Sequence, residues 1–198
     1  MNPLLALNQS GQFVWLDYIS RGLITGGGLQ RLIDEDGLGG VTSNPTIFDK
    51  AISGSTDYDA GLRRVLDTAC NISNRALAER VIVEDIQWAA DVLRPVYDNS
   101  DGANGLVSLE VSPGSAHDTG ATIDEARHLW HAVARPNVMI KVPATPEGVP
   151  AVEALTAAGI NINITLMLFL GHYEAVGQAY VRGIARHPQP HKVTSVAS

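Results

Sequence analysis

A lysine flanked by apolar residues is the side chain with the most specific chemistry in this sequence. Lys141 stands between Ile140 and Val142, in a run typical of a β-strand, and is one of three lysines among 198 residues. A lysine withdrawn from water loses part of its preference for the charged form, and a neutral amine attacks a carbonyl to form a Schiff base. Two other interpretations stay open: an inward lysine that only pairs with Glu110, or a lysine that reaches solvent.

Carboxylates, amides and a hydroxyl recur at alternate positions of several segments. Polar and apolar residues alternate along 107–112 and 160–166, and Lys141 lies on the face opposite Ile140 and Val142, so each segment presents one face that carries polar residues. Asp17 and Glu110 are candidate proton-transfer groups, although either one alone is more typical of a paired structural carboxylate. The residues expected to converge are Asp17, Asn44, Glu110, Lys141, Asn163 and Thr165.

Six segments with the composition of strands must position these side chains. They are residues 13–16, 40–43, 105–111, 137–142, 160–166 and 192–197. Helical patterns separate them, which predicts parallel strands joined by right-handed crossovers. A strand covered by helices on both faces is normally apolar throughout, so the polar faces indicate a barrel with helices outside and polar groups at the carboxyl ends of its strands. The predicted fold class is α/β.

Helix signals fill the intervals between the strands. The apolar stripe from Leu77 to Leu93, with spacings of three and four, predicts one long helix. The segment 122–125 resembles a capping box and predicts a helix that begins at Thr122. Thr145 and Pro146 predict the start of another helix. Residues 46–104 are interpreted as an insertion of at least two helices, within a single barrel domain over residues 1–198.

Composition argues against several classes of protein. The chain carries 14 Lys and Arg against 21 Asp and Glu, a formal charge of −7, without clusters of basic residues, which argues against a nucleic-acid or anionic-membrane binder. Its longest apolar run is far shorter than the ~20 residues that a membrane span requires. The single cysteine, Cys70, forbids an intrachain disulfide framework. With no signal peptide at the amino terminus, these features predict a cytoplasmic protein.

Three segments resemble the transaldolase family. Residues 40–48 (GVTSNPTIF) resemble its first signature, residues 138–145 (VMIKVPAT) resemble the signature around its Schiff-base lysine, and residues 159–166 (GININITL) resemble the strand that follows. The resemblance runs from Phe13 to Ser198, and the helical insertion is similar to that of the longer bacterial subclass. It implies a (β/α)8 TIM barrel of the class I aldolase type.

The resemblance implies transfer of a dihydroxyacetone unit from sedoheptulose 7-phosphate to glyceraldehyde 3-phosphate, a step of the pentose phosphate pathway. Lys141 would form the Schiff base with C2 of the ketose, and Asp17 would accept and return the proton of the C4 hydroxyl. Glu110 with Thr165 would hold the water that carries protons while the imine forms and hydrolyses. Neither a metal ion nor an organic cofactor is implied.

Substrate binding is assigned by the same resemblance to four polar residues. Asn44 and Asn163 would bind hydroxyls of the retained three-carbon unit, and Thr42 and Ser198 complete the expected substrate-binding set. The expected partners are sugar phosphates, with neither nucleic acid nor membrane.

The family's barrel continues beyond the position that matches Ser198, to an arginine that binds the substrate phosphate. The chain is therefore expected to be truncated after about six strands of a barrel that has eight, and to associate with itself through the incomplete edges. Two other functions stay open. One is a fructose-6-phosphate aldolase, which would release free dihydroxyacetone, and the other is an inactive fragment of a transaldolase.

Overall fold

The computed structural model describes residues 2–69 and 71–198, so Cys70 lies outside the described residues. The chain divides into two compact units. The first comprises Met1–Val107 with Arg135–Asn137, and the second comprises Ser108–Ala134 with Val138–Ser198. The third strand, β3 (Leu106–Glu110), has its first two residues in the first unit and its last three in the second.

The first unit begins with two strand–helix steps. Strand β1 (Trp15–Asp17) pairs in parallel with β2 (Gly40–Thr42), which places Asp17 opposite Thr42. The helices before and between these strands are α1 (Pro3–Gln9), α2 (Arg21–Thr25) and α3 (Gly28–Asp36). Strand β1 is shorter than predicted at its start, because Phe13 is 46% exposed and precedes the paired region.

The predicted helical insertion contains three helices in the described residues. They are α4 (Pro45–Ser53), α5 (Asp59–Thr68) and α6 (Asn74–Asn99). The apolar stripe of α6 is confirmed, since Val81, Ile86, Ala89 and Leu93 are each at most 1% exposed. A stripe of this kind holds an amphipathic helix against the core through the burial of apolar surface.

A buried arginine joins the segment after β1 to α6. The Arg21 side chain donates to Asp85 at 2.8 Å and to Glu84 at 2.7 Å, and its guanidinium lies over the rings of Tyr58 and Trp88. Asp85 is fully buried, and this burial raises its pKa against the opposing effects of Tyr58 and of the Arg21 charge. The cluster therefore anchors the short helix α2, which follows β1.

The second unit holds the remaining strands and three helices. Strand β4 (Val138–Pro143) pairs in parallel with β5 (Ile162–Thr165), and β5 pairs in parallel with β6 (Ser195–Ala197). Strand β3 (Leu106–Glu110) precedes β4, and its continuation donates from Val111 N–H to the Lys141 carbonyl. The helices are α7 (Thr119–Val133), α8 (Gly148–Ala157) and α9 (Leu170–Ile184).

The predicted start of α7 at Thr122 is wrong. The helix begins at Thr119 because Asp118 is its N-cap and accepts from Ala121 N–H, while the Thr122 hydroxyl is buried and donates to the Ser115 carbonyl. The helix predicted from Thr145 begins at Gly148, and the Thr145 hydroxyl accepts from Gly148 N–H. Both threonines therefore stabilise the turns before the helices.

The strand order is β1-β2-β3-β4-β5-β6, the same as the order in the sequence, with helices between successive strands. This is the α/β repeat of a TIM barrel, with six of the eight strands that such a barrel contains. None of the helices among residues 2–69 and 71–198 combines the length and apolar character that crossing a membrane requires.

Candidate functional site

Lys141 lies on β4, between two residues that are fully buried. Ile140 and Val142 are 0% exposed, and Lys141 itself is 7% exposed. The other two lysines, Lys50 and Lys192, are exposed to solvent. Lys141 is thus the one lysine of the chain whose amine the fold withdraws from bulk water.

Glu110 is the carboxylate that the second unit places beside this amine. Its Oε2 atom lies 3.5 Å from the Lys141 Nζ, and the two side chains are 16% and 9% exposed. The carboxylate stands at the end of β3 and the lysine in the middle of β4. At 3.5 Å the pair is longer than a strong charge-assisted hydrogen bond, so the amine is held near the carboxylate without being locked to it.

Asn163 lies directly opposite Lys141 in the pairing of β4 with β5. Its amide is fully buried, donates to the Ser108 hydroxyl at 3.0 Å, and accepts from the Ser198 hydroxyl at 2.8 Å. An amide has two donor hydrogens and two acceptor lone pairs, so each end keeps the capacity for one further hydrogen bond. These contacts place Ser108, Asn163 and Ser198 on one face of the strands.

Thr165 ends β5, two residues after Asn163, and is 7% exposed. Because side chains of a strand alternate with a period of two, Thr165 shares the face of Asn163. Its backbone carbonyl accepts from Ala144 N–H, which extends the pairing beyond Pro143. The second unit therefore brings a lysine, a carboxylate, an amide and hydroxyls to the carboxyl half of neighbouring parallel strands.

The first unit holds the other predicted site residues. The Thr42 hydroxyl donates to Asp17 Oδ1 at 2.6 Å, with Thr42 buried and Asp17 exposed. Asn44 is the N-cap of α4, and its Oδ1 accepts from Ile47 N–H at 2.9 Å. Asp17 and Thr42 are therefore in contact. Asn44 follows β2, and its side-chain NH2 group is available to donate a hydrogen bond because the capping contact uses only its oxygen.

Ser108 was not among the predicted site residues, although it holds the Asn163 amide. The signal was present in the sequence, because Ser108 precedes Glu110 by two residues and shares its face. Among residues 2–69 and 71–198 the structure has no group of three or more His, Cys, Asp or Glu side chains that could hold a metal ion.

Comparison with known proteins gives a family match over most of the chain. The model of the family described as Transaldolase/Fructose-6-phosphate aldolase matches residues 14–198. A protein named Transaldolase from Thiobacillus denitrificans is 46% identical over 186 residues, which cover 94% of this chain and 51% of that relative. A second, from Thermobifida fusca, is 47% identical over 188 residues, which cover 95% of this chain and 50% of that relative.

A relative named Transaldolase from Mycobacterium bovis aligns over the whole chain. It is 43% identical over 202 aligned residues, which cover 100% of this chain and 54% of the relative. The chain therefore spans about half the length of the curated relatives it matches.

Proposed function

Because the chain belongs to the transaldolase and fructose-6-phosphate aldolase family, we propose that it carries the Schiff-base lysine of a transaldolase. The enzyme transfers a dihydroxyacetone unit from sedoheptulose 7-phosphate to glyceraldehyde 3-phosphate. The observation that carries this proposal is the setting of Lys141, which is 7% exposed and has its amine 3.5 Å from the Glu110 carboxylate. The names of the curated relatives support the same activity.

The first half of the reaction forms the imine. The neutral Lys141 amine attacks C2 of the ketose, and the carbinolamine loses its oxygen as water to leave a protonated imine. Glu110 and Thr165 hold a water molecule that carries the protons between nitrogen and oxygen. A positioned proton carrier of this type contributes typically ~10²–10⁴-fold to rate.

The second half cleaves and remakes a carbon–carbon bond. Asp17 takes the proton of the C4 hydroxyl, the C3–C4 bond breaks, and its electron pair moves into the protonated imine to give an enamine. Erythrose 4-phosphate leaves. The enamine then attacks the aldehyde carbon of glyceraldehyde 3-phosphate, Asp17 returns the proton, and hydrolysis of the imine releases fructose 6-phosphate. The protonated imine is the electron sink, so the proposed reaction needs neither a metal ion nor an organic cofactor.

Amides and hydroxyls hold the three-carbon unit in this proposal. Asn163 and Asn44 bind its hydroxyls, and Thr42 and Ser198 complete the binding set. The hydrogen bonds of Asn163 to Ser108 and Ser198 support this role, because an amide fixed in orientation presents its remaining donor and acceptor in defined directions. We also propose a cytoplasmic location, which the single cysteine supports.

A fructose-6-phosphate aldolase is the second candidate, because the description of the matching family includes that activity. The two differ in the fate of the enamine. A transaldolase adds it to an aldose, whereas an aldolase protonates it, and hydrolysis of the resulting imine releases dihydroxyacetone. An inactive fragment is the third candidate, since the chain spans about half of its curated relatives.

Product analysis distinguishes the three candidates. The protein is incubated with fructose 6-phosphate and erythrose 4-phosphate, and the products are separated by mass. We expect sedoheptulose 7-phosphate, with no product from Lys141→Ala and full activity from Lys192→Ala, which changes an exposed lysine. Free dihydroxyacetone in place of the seven-carbon sugar favours the aldolase, and the absence of both products favours the inactive fragment.

A further inference from the structure

A cavity of about 360 Å³ opens in the first unit, beside the residues that precede β1 and β2. Its apolar wall is formed by Phe13, Ile33, Leu38 and Val96. All of its lining residues belong to the first unit, and none of them is among the proposed catalytic or substrate-binding residues. A cavity of this volume accommodates a small organic molecule.

Asn104 brings an unsatisfied amide to the lining of this cavity. It is 5% exposed, and its backbone N–H and carbonyl are both engaged with the Ser100 hydroxyl. Among the residues that the structure describes, the Asn104 side-chain amide has no hydrogen-bond partner. The Asn104 amide therefore lines the cavity without a protein partner, and the lining also includes Asn8, whose Oδ1 is buried without a hydrogen bond to any described residue. A buried polar atom without a partner is unfavourable and rare, so both side chains are available to a molecule that occupies the cavity.

A glycine keeps the gap between Phe13 and Asn104 open. A Cβ atom on Gly39 would lie 2.9 Å from the Cβ of Phe13, which is too close, and 3.2 Å from Oδ1 of Asn104, which is a tight contact. Phe13 is 46% exposed and offers an aromatic surface beside this gap. An aromatic surface on one side and an amide on the other suit a flat molecule with a polar edge.

We infer that this cavity is a binding site for a small, uncharged, planar heterocycle that carries a hydrogen-bond donor beside an acceptor, the class that includes nucleobases and aromatic carboxamides. Such an edge pairs with both ends of the Asn104 amide at once, as asparagine does with a base edge. The described residues that line the cavity include no charged side chain, so a charged ligand would lose its hydration without an ionic partner.

The probe for this site is nicotinamide, a neutral planar carboxamide, and benzoate is its charged counterpart of similar size. Each is titrated into ¹⁵N-labelled protein while the amide signals of the cavity residues are followed by NMR. We expect a saturable shift of the Asn104 side-chain signal with nicotinamide and none with benzoate. Adenine, a neutral nucleobase, is titrated in the same way as a second probe. If neither nicotinamide nor adenine gives a saturable shift, the cavity holds only water and the inference is overturned.

Two variants separate the role of the amide from general effects on folding. Asn104→Leu keeps the approximate volume and removes both hydrogen-bonding groups, so nicotinamide should bind about tenfold more weakly or worse. Asn74→Leu, the same change at an exposed position of α6, should leave the affinity unchanged. Circular dichroism reports on the folding of both variants. Equal affinities for nicotinamide in Asn104→Leu and in the unaltered protein would also overturn the inference. If Asn104→Leu does not fold, the titration of the unaltered protein alone tests the inference.

Discussion

The spacing of Lys141 and Glu110 suits an amine that must change its bonding during a reaction. A short, fully buried ion pair would hold the lysine in its charged form by Coulomb attraction and hydrogen bonding. Here the two groups are 3.5 Å apart, which is longer than a strong charge-assisted hydrogen bond.

We predict that Glu110→Gln lowers the turnover number of transfer by roughly 10²–10⁴-fold, because glutamine keeps the shape of the side chain and cannot exchange a proton. Steady-state kinetics with fructose 6-phosphate and erythrose 4-phosphate measure the change. The control is Glu174→Gln, an exposed position on α9, which should leave turnover unaltered. Full turnover in Glu110→Gln would remove Glu110 from the proposed proton path.

At the scale of secondary-structure elements, the local sequence patterns predict the approximate positions of helices and strands better than the residues at which they begin. The alternation around Glu110 and Asn163 located β3 and β5, because the period of two is a property of the strand itself. The start of α7 was missed because Thr122 has a capping composition but is buried against the Ser115 carbonyl, a contact that needs the folded turn. The Arg21 cluster was also missed, since its partners on α6 lie about sixty residues away in the sequence.

Loss of one partner in the Arg21 cluster should destabilise the first unit. We predict that Asp85→Ala lowers the free energy of unfolding by about 3–5 kcal/mol, because it removes the fully buried counterion of Arg21 and leaves only the more exposed Glu84 to pair with it. Denaturant unfolding followed by circular dichroism measures the change. Asp91→Ala is the matched control on the same helix, since the Asp91–Arg135 pair is largely exposed and should be worth about 0–1 kcal/mol. Equal losses in the two variants would contradict the structural role of the cluster.

A second element-scale prediction concerns the acid sensitivity of the contact between α8 and α9. Arg182 and Arg186 approach Glu153 at 2.7 Å and 3.1 Å, and the hydrogen bond from Arg182 is the main cause that holds the pKa of Glu153 below its ordinary value. A carboxyl with a lowered pKa in the folded state stabilises the fold above its unfolded-state pKa. That contribution is lost as the pH falls through the folded-state pKa.

The stability difference between the unaltered protein and Glu153→Gln should therefore be present at neutral pH and shrink in the acid range. Unfolding in denaturant at a series of pH values measures this difference directly. A difference that stays constant from neutral to acid pH would show that the ion pair does not stabilise the helix contact.

At the scale of the whole molecule, apolar side chains are exposed around the start of α9. Leu168, Phe169 and Leu170 are 81%, 62% and 70% exposed, and β1 and β6 are the outer strands of the described order. Exposed apolar surface and unpaired strand edges both favour association. The sequence predicted six strands and the barrel repeat, but this surface appears only when the packing of α9 is known.

We predict that the protein associates with itself in a concentration-dependent way. Sedimentation velocity over a range of concentrations should show species larger than the monomer, and Leu168→Ser combined with Leu170→Ser should shift the distribution towards the monomer. A control pair of serine substitutions at Ala51 and Ala60, outside this surface, should leave the distribution unchanged. A monomer at every concentration would contradict the prediction.

Trapping of the imine by reduction tests directly whether Lys141 is the covalent nucleophile. The protein is incubated with fructose 6-phosphate, reduced with borohydride and digested, and the modified peptide is identified by mass spectrometry. The chain has three lysines, of which Lys50 and Lys192 are exposed, so the assignment is unambiguous. We expect a reduced three-carbon or six-carbon adduct on the peptide that contains Lys141 and none on the peptides that contain the other two lysines. An adduct on Lys50 or Lys192, with Lys141 unmodified, would contradict this expectation.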